Sequence, residues 1–418
     1  MKASKYIFRA SLFLPFALLL LTPVSAETTA PDIVNIEQLR EEAEAFEQSK
    51  DFEKSAAIYR RLIEAGDPWG MNALGISYSR GEGVPKDEKE AVRWFREAAQ
   101  RKHPAATTSL GLRYENGEGV DKDIATANDY YEKAAALDDA RAMFFLGLNY
   151  KAGLGFDKNV ETAFQWYDKG ANAGSASAMY VLAMAYENGD GTTPSLDNAL
   201  LWLAKAAGAG DVDAIFALGT YYEFGKAVAV NDDIAFILYK KAAELGHVAA
   251  MNNFASSFHS GRGTEVDIEQ ALVWYQKAAD AGDDYALANL GEIFLKGDYV
   301  KRDVKKGLLL LEKAIADDSG YAMYTLALAY ENGDGVDIDR GNSTRLLKQS
   351  VETGYAAAMR KLGQNYQDGT GVLRDLSTAK IWYEKAIAAG DEDSESLYGI
   401  LIEKIQAESG APVGAPTN

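Results

Sequence analysis

The chain has 418 residues, of which 47% are hydrophobic and 25% are charged, and it contains no cysteine. Because one hydrophobic core rarely extends beyond about 300 residues, this length predicts several domains or an array of repeats. The formal net charge of −19 repels phosphate backbones and anionic lipid headgroups, which argues against nucleic acids and membrane surfaces as partners.

The N-terminal segment 1–26 has the organisation of a secretory signal peptide. Lys2, Lys5 and Arg9 precede the apolar run 10–21, and the small residues at 24–26 form a cleavage site after Ala26. The apolar run is shorter than the roughly 20 residues that span a bilayer, and no lipobox cysteine follows it. Cleavage would remove these three positive charges and take the net charge from −19 to −22. We therefore expect a soluble periplasmic or secreted protein.

A linker and a capping hairpin are expected over residues 27–66. From about Ile36 to Gly66 the sequence resembles a degenerate helical hairpin, with Ala56 and Tyr59 at hairpin positions. An atypical hairpin of this kind is typical of the cap at the end of a repeat array. The preceding residues 27–35 are expected to be flexible.

Residues 67–390 contain nine repeats of one 36-residue pattern, without an insertion or deletion. Each repeat has a large apolar residue at the same place, which serves below as its reference position: Leu74, Leu110, Leu146, Leu182, Leu218, Phe254, Leu290, Leu326 and Leu362. A small residue follows at +1 and an aromatic residue at +4, while alanine stands at −4 in every repeat except the first. This spacing indicates one apolar face of an amphipathic first helix.

The ends of the helices are marked in every repeat. Glycine at +7, from Gly81 to Gly369, supplies a left-handed C-terminal cap for the first helix. Asp, Asn or Ser at +13, from Asp87 to Asp375, is expected to cap the N-terminus of a second helix. After the ninth repeat, residues 391–407 predict a polar-faced capping helix and residues 408–418 a disordered tail. The chain is therefore predicted to be an all-α solenoid of stacked hairpins.

The pattern A-x-x-x-L-G-x-x-Y-x-x-G-x-G-V-x-x-D resembles the Sel-1-like repeat, a relative of the tetratricopeptide repeat. The second repeat shows it almost complete, with Leu110, Gly111, Tyr114, Gly117 and Asp123 in place. The resemblance implies a right-handed α/α superhelical solenoid of helix-turn-helix repeats. It also implies a non-enzymatic scaffold or adaptor, in the bacterial cell envelope or secreted, that binds a protein or peptide in its concave groove.

Two alternative functions come from the same resemblance. Cysteine-rich secreted members are associated with penicillin binding and β-lactamase activity, which suggests a hydrolase or binding protein directed at the cell wall or at β-lactams. The absence of cysteine pairs argues against that function. The other alternative is a secreted protein that binds a host factor.

No catalytic residue, cofactor site or metal site is predicted. His103 and His247 stand where other repeats carry Asp or Ser, so we interpret them as helix caps. His259 lies on a first helix, but a lone histidine is weak evidence for a metal site. The acidic loop 331–339 invites a calcium site, yet its spacing departs from the EF-hand pattern. Its Gly and Asp residues are also those that the repeat uses as caps.

A partner is expected on the first helices, which line the concave surface of tetratricopeptide-like solenoids. At −2, three consecutive repeats carry bulk that the pattern does not require, namely Phe144, Tyr180 and Phe216. Positions +2 and +5 add aliphatic and charged residues: Leu112, Leu148, Met184, Glu115, Lys151, Glu187 and Glu223. This aromatic and aliphatic stripe with an acidic margin predicts a protein or peptide partner with apolar anchors and basic flanks, bound by a monomer. The alternative is that these side chains pack between neighbouring first helices.

Overall fold

The computed structural model describes residues 35–409, and within them all regular secondary structure is α-helical. The predicted signal peptide 1–26, the linker residues before Asn35 and the last residues, 410–418, lie outside the described part. The helices are α1 (Ile36–Gln48), α2 (Phe52–Glu64), α3 (Pro68–Arg80), α4 (Glu88–Gln100), α5 (Pro104–Asn116), α6 (Ile124–Ala135), α7 (Ala140–Ala152), α8 (Val160–Asn172), α9 (Ala176–Asn188), α10 (Leu196–Gly208), α11 (Val212–Phe224), α12 (Asp232–Glu244), α13 (Val248–Ser260), α14 (Ile268–Asp280), α15 (Asp284–Lys296), α16 (Val304–Ala316), α17 (Gly320–Asn332), α18 (Arg340–Glu352), α19 (Ala356–Asp368), α20 (Leu376–Ala388) and α21 (Asp393–Ser409). Among residues 35–409, no helix has the length and apolar character needed to cross a bilayer.

The chain divides into two compact units, one ending at His103 and one beginning at Pro104. In the first unit α1 packs on α2 and α3 packs on α4. In the second unit each first helix packs on its second helix, from α5 with α6 to α19 with α20, and α21 packs on α20. The predicted all-α architecture of consecutive helical hairpins is confirmed.

In the first unit, an ion pair ties α1 to the first repeat. The Arg40 guanidinium donates to both carboxylate oxygens of Asp67, at 2.5 and 3.1 Å. Asp67 is buried, and it also accepts hydrogen bonds from backbone N–H groups at the start of α3. Tyr59 on α2 is completely buried, and its hydroxyl donates to Glu47 on α1. These contacts hold the α1–α2 hairpin together and against α3.

The helix ends lie where the sequence predicts them. Each second helix begins after the residue at +13, whose side chain accepts a hydrogen bond from a backbone N–H of the first turn. Each first helix of the nine repeats in the described chain ends at a glycine with φ between 71° and 82°. Residues with a side chain rarely adopt this left-handed conformation, so the conserved spacing of glycine follows from the backbone.

Within the hairpins, the small residue at +1 lets the first helix touch a large side chain of the second. A Cβ added at Gly111 would lie 2.6 Å from a ring carbon of Tyr131, and one added at Gly219 would lie 2.7 Å from Tyr239. Both rings are almost completely inaccessible to solvent. The +1 residue is therefore small because the ring occupies the space that a side chain would need.

A second glycine, at +9, makes a close contact between successive repeats. A Cβ added at Gly371 would lie 2.7 Å from the carbonyl oxygen of Arg340, the first residue of the preceding second helix. Gly191 and Gly263 approach the first residues of α8 and α12 in the same way. Repeat five has Ala227 instead, and this alanine still adopts a left-handed φ of 56°. At these three glycines the turn of one repeat therefore packs on the first residue of the second helix of the repeat before it.

The C-terminal helix α21 is longer than the sequence predicts. It runs from Asp393 to Ser409, so that residues 408 and 409, which the sequence assigns to a tail, continue the helix. Arg374 in the turn of repeat nine donates to Glu408 at 2.5 Å. This contact gives the last turn of α21 a partner that sequence periodicity does not reveal.

Alanine substitutions of two helical glycines are predicted to have opposite effects. Gly219→Ala places its Cβ against the Tyr239 ring and should lower the free energy of unfolding by about 1–3 kcal/mol. Gly208→Ala, at the exposed end of α10, meets nothing within 4 Å and should raise it by up to about 1 kcal/mol. Urea unfolding followed by circular dichroism measures both. Equal stability of the two variants would show that the close contact does not constrain the hairpin.

Candidate partner-binding surface

The ten predicted partner-binding residues all lie on four successive first helices of the second unit. Helix α5 carries Leu112 and Glu115; α7 carries Phe144, Leu148 and Lys151; α9 carries Tyr180, Met184 and Glu187; and α11 carries Phe216 and Glu223. The stacking of hairpins brings equivalent positions of neighbouring repeats side by side. The structure therefore places these residues along one continuous surface, which we call the first-helix surface.

The apolar residues of this surface are half-buried rather than freely exposed. Phe144, Tyr180 and Phe216 pack at the edge of the hydrophobic core of repeats three to five, together with Leu148 and Met184. From the sequence, these side chains could either be exposed in the groove or pack between neighbouring first helices. In the structure each side chain is partly packed and partly exposed. A ligand on this surface would contact the remaining accessible part of each ring.

Phe216 shows how these aromatic residues also serve packing. Its ring stacks on the imidazole of His247 with centroids 4.3 Å apart, and it lies 5.8 Å from the ring of Tyr239. Phe144 makes a tilted contact with Phe145, with centroids 5.4 Å apart. Substitution of Phe216 is therefore expected to affect both stability and any binding.

The charged margin of the surface forms a ladder of ion pairs between repeats. In each pair the residue at +5 of one repeat contacts the residue at +8 of the next, 39 positions later. The three pairs are Lys151–Asp190 at 2.8 Å, Glu187–Lys226 at 2.9 Å and Glu223–Arg262 at 2.8 Å. The margin therefore bridges neighbouring repeats, and part of its charge is already neutralised within the chain.

The margin glutamates also accept hydrogen bonds from buried tyrosines. Tyr131 donates to Glu115, and Tyr239 donates to Glu223. Burial, reinforced by the acceptor carboxylate, raises the pKa of both tyrosine hydroxyls, so both remain protonated donors at neutral pH. The sequence does not reveal these hydrogen bonds, because each tyrosine lies 16 residues away from its glutamate on another helix.

A tyrosine cluster that the sequence does not predict lies on α15 and α17 and at the N-cap of α19. Tyr285 stacks on Tyr321 with ring centroids 5.0 Å apart, and Tyr355 contacts both Tyr321 and Tyr324. The Tyr321 hydroxyl donates to Asn289 at 2.7 Å, and Tyr285 is 46% exposed. The available signal was tyrosine at −5 in two successive repeats. This cluster extends the aromatic character of the first helices to the C-terminal end of the array.

The two histidines of the second unit, His247 and His259, make contacts that cap a helix or pack against aromatic rings. His247 is the N-cap of α13, because its Nδ1 accepts a hydrogen bond from the Ala250 N–H at 3.1 Å. Burial lowers the pKa of His259, whose ring meets Tyr275 and Tyr299 edge to face. Within residues 35–409, no group of three or more His, Cys, Asp or Glu side chains is arranged to hold a metal ion.

Stacked helical hairpins with glycine-capped first helices and close small-residue contacts define the class of α-helical solenoids. The chain belongs to the Sel1 repeat family. The family model matches nine successive segments, 70–103, 104–139, 140–175, 176–211, 212–247, 248–283, 284–319, 320–355 and 356–391. Sel1 repeats have a tetratricopeptide-like fold, and proteins built from them generally act as scaffolds for protein–protein interactions.

Two solved structures share both fold and sequence with the chain. One is c5321, a protective antigen of uropathogenic Escherichia coli strains that displays an SLR fold; it is 31% identical over 84% of this chain and 76% of its own, with a TM-score of 0.62. The other is a Sel1 repeat protein from Oxalobacter formigenes, 31% identical over 58% of this chain and 99% of its own, with a TM-score of 0.54. A comparison with curated proteins gives no match.

Two residues of the charged margin are predicted to differ in structural importance. Glu223→Ala removes the acceptor of the buried Tyr239 hydroxyl and one partner of Arg262, and should lower the free energy of unfolding by about 1–3 kcal/mol. Lys151→Ala breaks the solvent-exposed ion pair with Asp190 and should lower the free energy of unfolding by less than about 0.5 kcal/mol. Urea midpoints of the two variants test this difference. A Lys151 variant as unstable as the Glu223 variant would contradict the account.

The cap formed by His247 predicts a pH dependence of stability. Burial lowers the pKa of His247 from its ordinary value of 6.5, although Asp213, 3.4 Å from Nε2, opposes the shift. As the pH falls below about 6.5, His247 therefore binds a proton more readily in the unfolded chain than in the folded one. The stabilisation is complete above that pH and is lost as the pH falls through the lower folded-state pKa.

His247→Asn tests this dependence because asparagine caps helices at every pH. Between pH 7.5 and 5.5, the thermal midpoint of the unsubstituted protein should fall further than that of the variant. The same fall in both proteins would mean that His247 does not contribute.

Proposed function

We propose that this chain is a non-enzymatic adaptor of the cell envelope, or a secreted one, that binds a protein partner along the first-helix surface of repeats two to five. Support comes first from the family, whose repeats generally form interaction scaffolds. The observation that carries the proposal is the bulk at −2 in three successive repeats, Phe144, Tyr180 and Phe216. Other repeats place Asn252 or Ala288 at −2 and still form the same helix.

The chemistry of the surface favours a partner with apolar anchors. Half-buried aromatic rings are held in place by their packing, so they lose little conformational freedom when a ligand covers them. Aromatic residues commonly supply most of the binding energy at protein interfaces. Glu187 and Glu223 keep side chains that are 22% and 18% exposed, and they offer limited contact to basic flanks of the partner.

Export is supported by the sequence of the first 26 residues, which has the organisation of a signal peptide. The relative described as a protective antigen is consistent with a place outside the cytoplasm. The partner class is therefore a protein or peptide met in the envelope or beyond it.

Site-specific crosslinking in the producing cells tests the proposal. A photoreactive phenylalanine analogue at Tyr180 should give a discrete protein adduct in the envelope or medium fraction. The same analogue at Val230, an exposed residue of the turn between α11 and α12, is the matched control and should give none. Phe144→Asn, which introduces the residue that repeats one and six carry at −2, should abolish the adduct while the chain stays folded. An adduct from Val230 alone, or a Tyr180 adduct that is insensitive to Phe144→Asn, would overturn the proposal.

A further inference from the structure

Four successive second helices expose an aliphatic residue at one repeat position. Leu201, Ile237, Val273 and Leu309 lie at +19 on α10, α12, α14 and α16, and they are 50, 62, 48 and 64% exposed. We call this set the outer stripe. Its members share one position in consecutive repeats, so they lie in a row on the side of the array formed by the second helices.

The repeat itself does not require an apolar residue at +19. Repeats one, two, three and eight carry polar residues there, all exposed: Arg93, Asp129, Gln165 and Arg345. Repeat nine again has an exposed Ile381, but Arg345 separates it from the stripe. Since hydrophobic exposure is not needed for folding, a continuous row over repeats four to seven indicates a surface that another molecule covers.

The two edges of the outer stripe carry opposite charges. One helical turn before the stripe lie the exposed acids Asp197, Asp233 and Glu269. One turn after it lie exposed lysines at the equivalent position: Lys205, Lys241 and Lys277. In repeat seven Lys305 replaces the acid before the stripe, while Lys313 keeps the basic position after it. The stripe is thus bordered by an acidic edge and a basic edge over repeats four to six.

This arrangement is complementary to itself. Two copies that face each other across a twofold axis along the stripe have antiparallel second helices. The acidic edge of each copy then faces the basic edge of the other, so that Asp233 meets Lys241 of the second copy. A twofold axis across the stripe would instead place acid against acid. A partner with charges of one sign would be attracted by one edge of the stripe and repelled by the other.

We propose that the outer stripe docks a second copy of this chain, with the twofold axis along the stripe. The dimer leaves the first-helix surface open, because the stripe lies on the second helices. A dimer would present two partner-binding surfaces and so increase the avidity for a partner with repeated sites. This proposal differs from the monomer that is expected from the sequence.

The apolar row is tested by Ile237→Arg in the purified, naturally processed chain. Arginine is the residue that repeat eight carries at this position, and the twofold axis sets it against its own copy. Val230→Arg is the matched control, because Val230 is 61% exposed in the same repeat but lies off the stripe. Analytical ultracentrifugation should show a dimer for the unsubstituted chain and for the control, and a monomer for Ile237→Arg. A monomeric unsubstituted chain at its highest soluble concentration overturns the proposal, even if the stripe binds another protein.

The charged edges are tested by a mixing experiment. Asp233→Lys and Lys241→Asp should each weaken the dimer about tenfold, because the symmetry applies every substitution twice. An equimolar mixture of the two variants should recover the dimer, since each copy then offers the edge that the other needs. Lys241 is chosen because Lys205 and Lys277 lie over tryptophan rings of their own helices. Failure of the mixture to recover, or a stronger dimer for Asp233→Lys alone, overturns the proposed axis.

Discussion

The close contact between a small residue of the first helix and a ring of the second is the constraint on which the array depends. A Cβ added at Gly219 would lie only 2.7 Å from the Tyr239 ring. With the ring fixed, the Tyr239 hydroxyl reaches Glu223 at the end of the same first helix. Glu223 in turn binds Arg262 of the next repeat. One steric requirement inside a hairpin thereby determines which polar group meets the neighbouring repeat.

Because of these contacts, few of the positions that recur in every repeat remain available for recognition. The +7 glycines adopt the left-handed conformation that ends the first helices, and +9 glycines allow the turn to pack closely on the preceding repeat. The +13 residues cap the second helices. Recognition must then use positions that the repeat leaves free to vary. These are −2 on the first helices, where Tyr180 lies, and +19 on the second helices, where Ile237 lies. The two positions lie on different helices, so a partner and a second copy of the chain would bind different surfaces.

The sequence predicts the helices well because their signals are local. A cap residue such as Asn231 acts within three residues of its own position, and Gly225 acts within its own turn. The sequence does not reveal the structural contacts of Glu223, because they join residues 16 and 39 positions away and a single-repeat pattern does not report those distances. The outer stripe was visible as an alignment of Leu201, Ile237, Val273 and Leu309. Its exposure, however, depends on how each hairpin packs on its neighbours.

The central claim is that residues that repeat build the fold and residues that depart from the repeat form complexes. A substitution scan of repeats four to six, with folded protein and assembled complex quantified for every variant, tests it most directly. We predict that changes at Gly219 or Asn231 reduce the folded fraction. Changes at Tyr180 or Ile237 should reduce the complexes while the folded fraction stays the same. A parallel loss of folding and of complexes at all of these positions would contradict it.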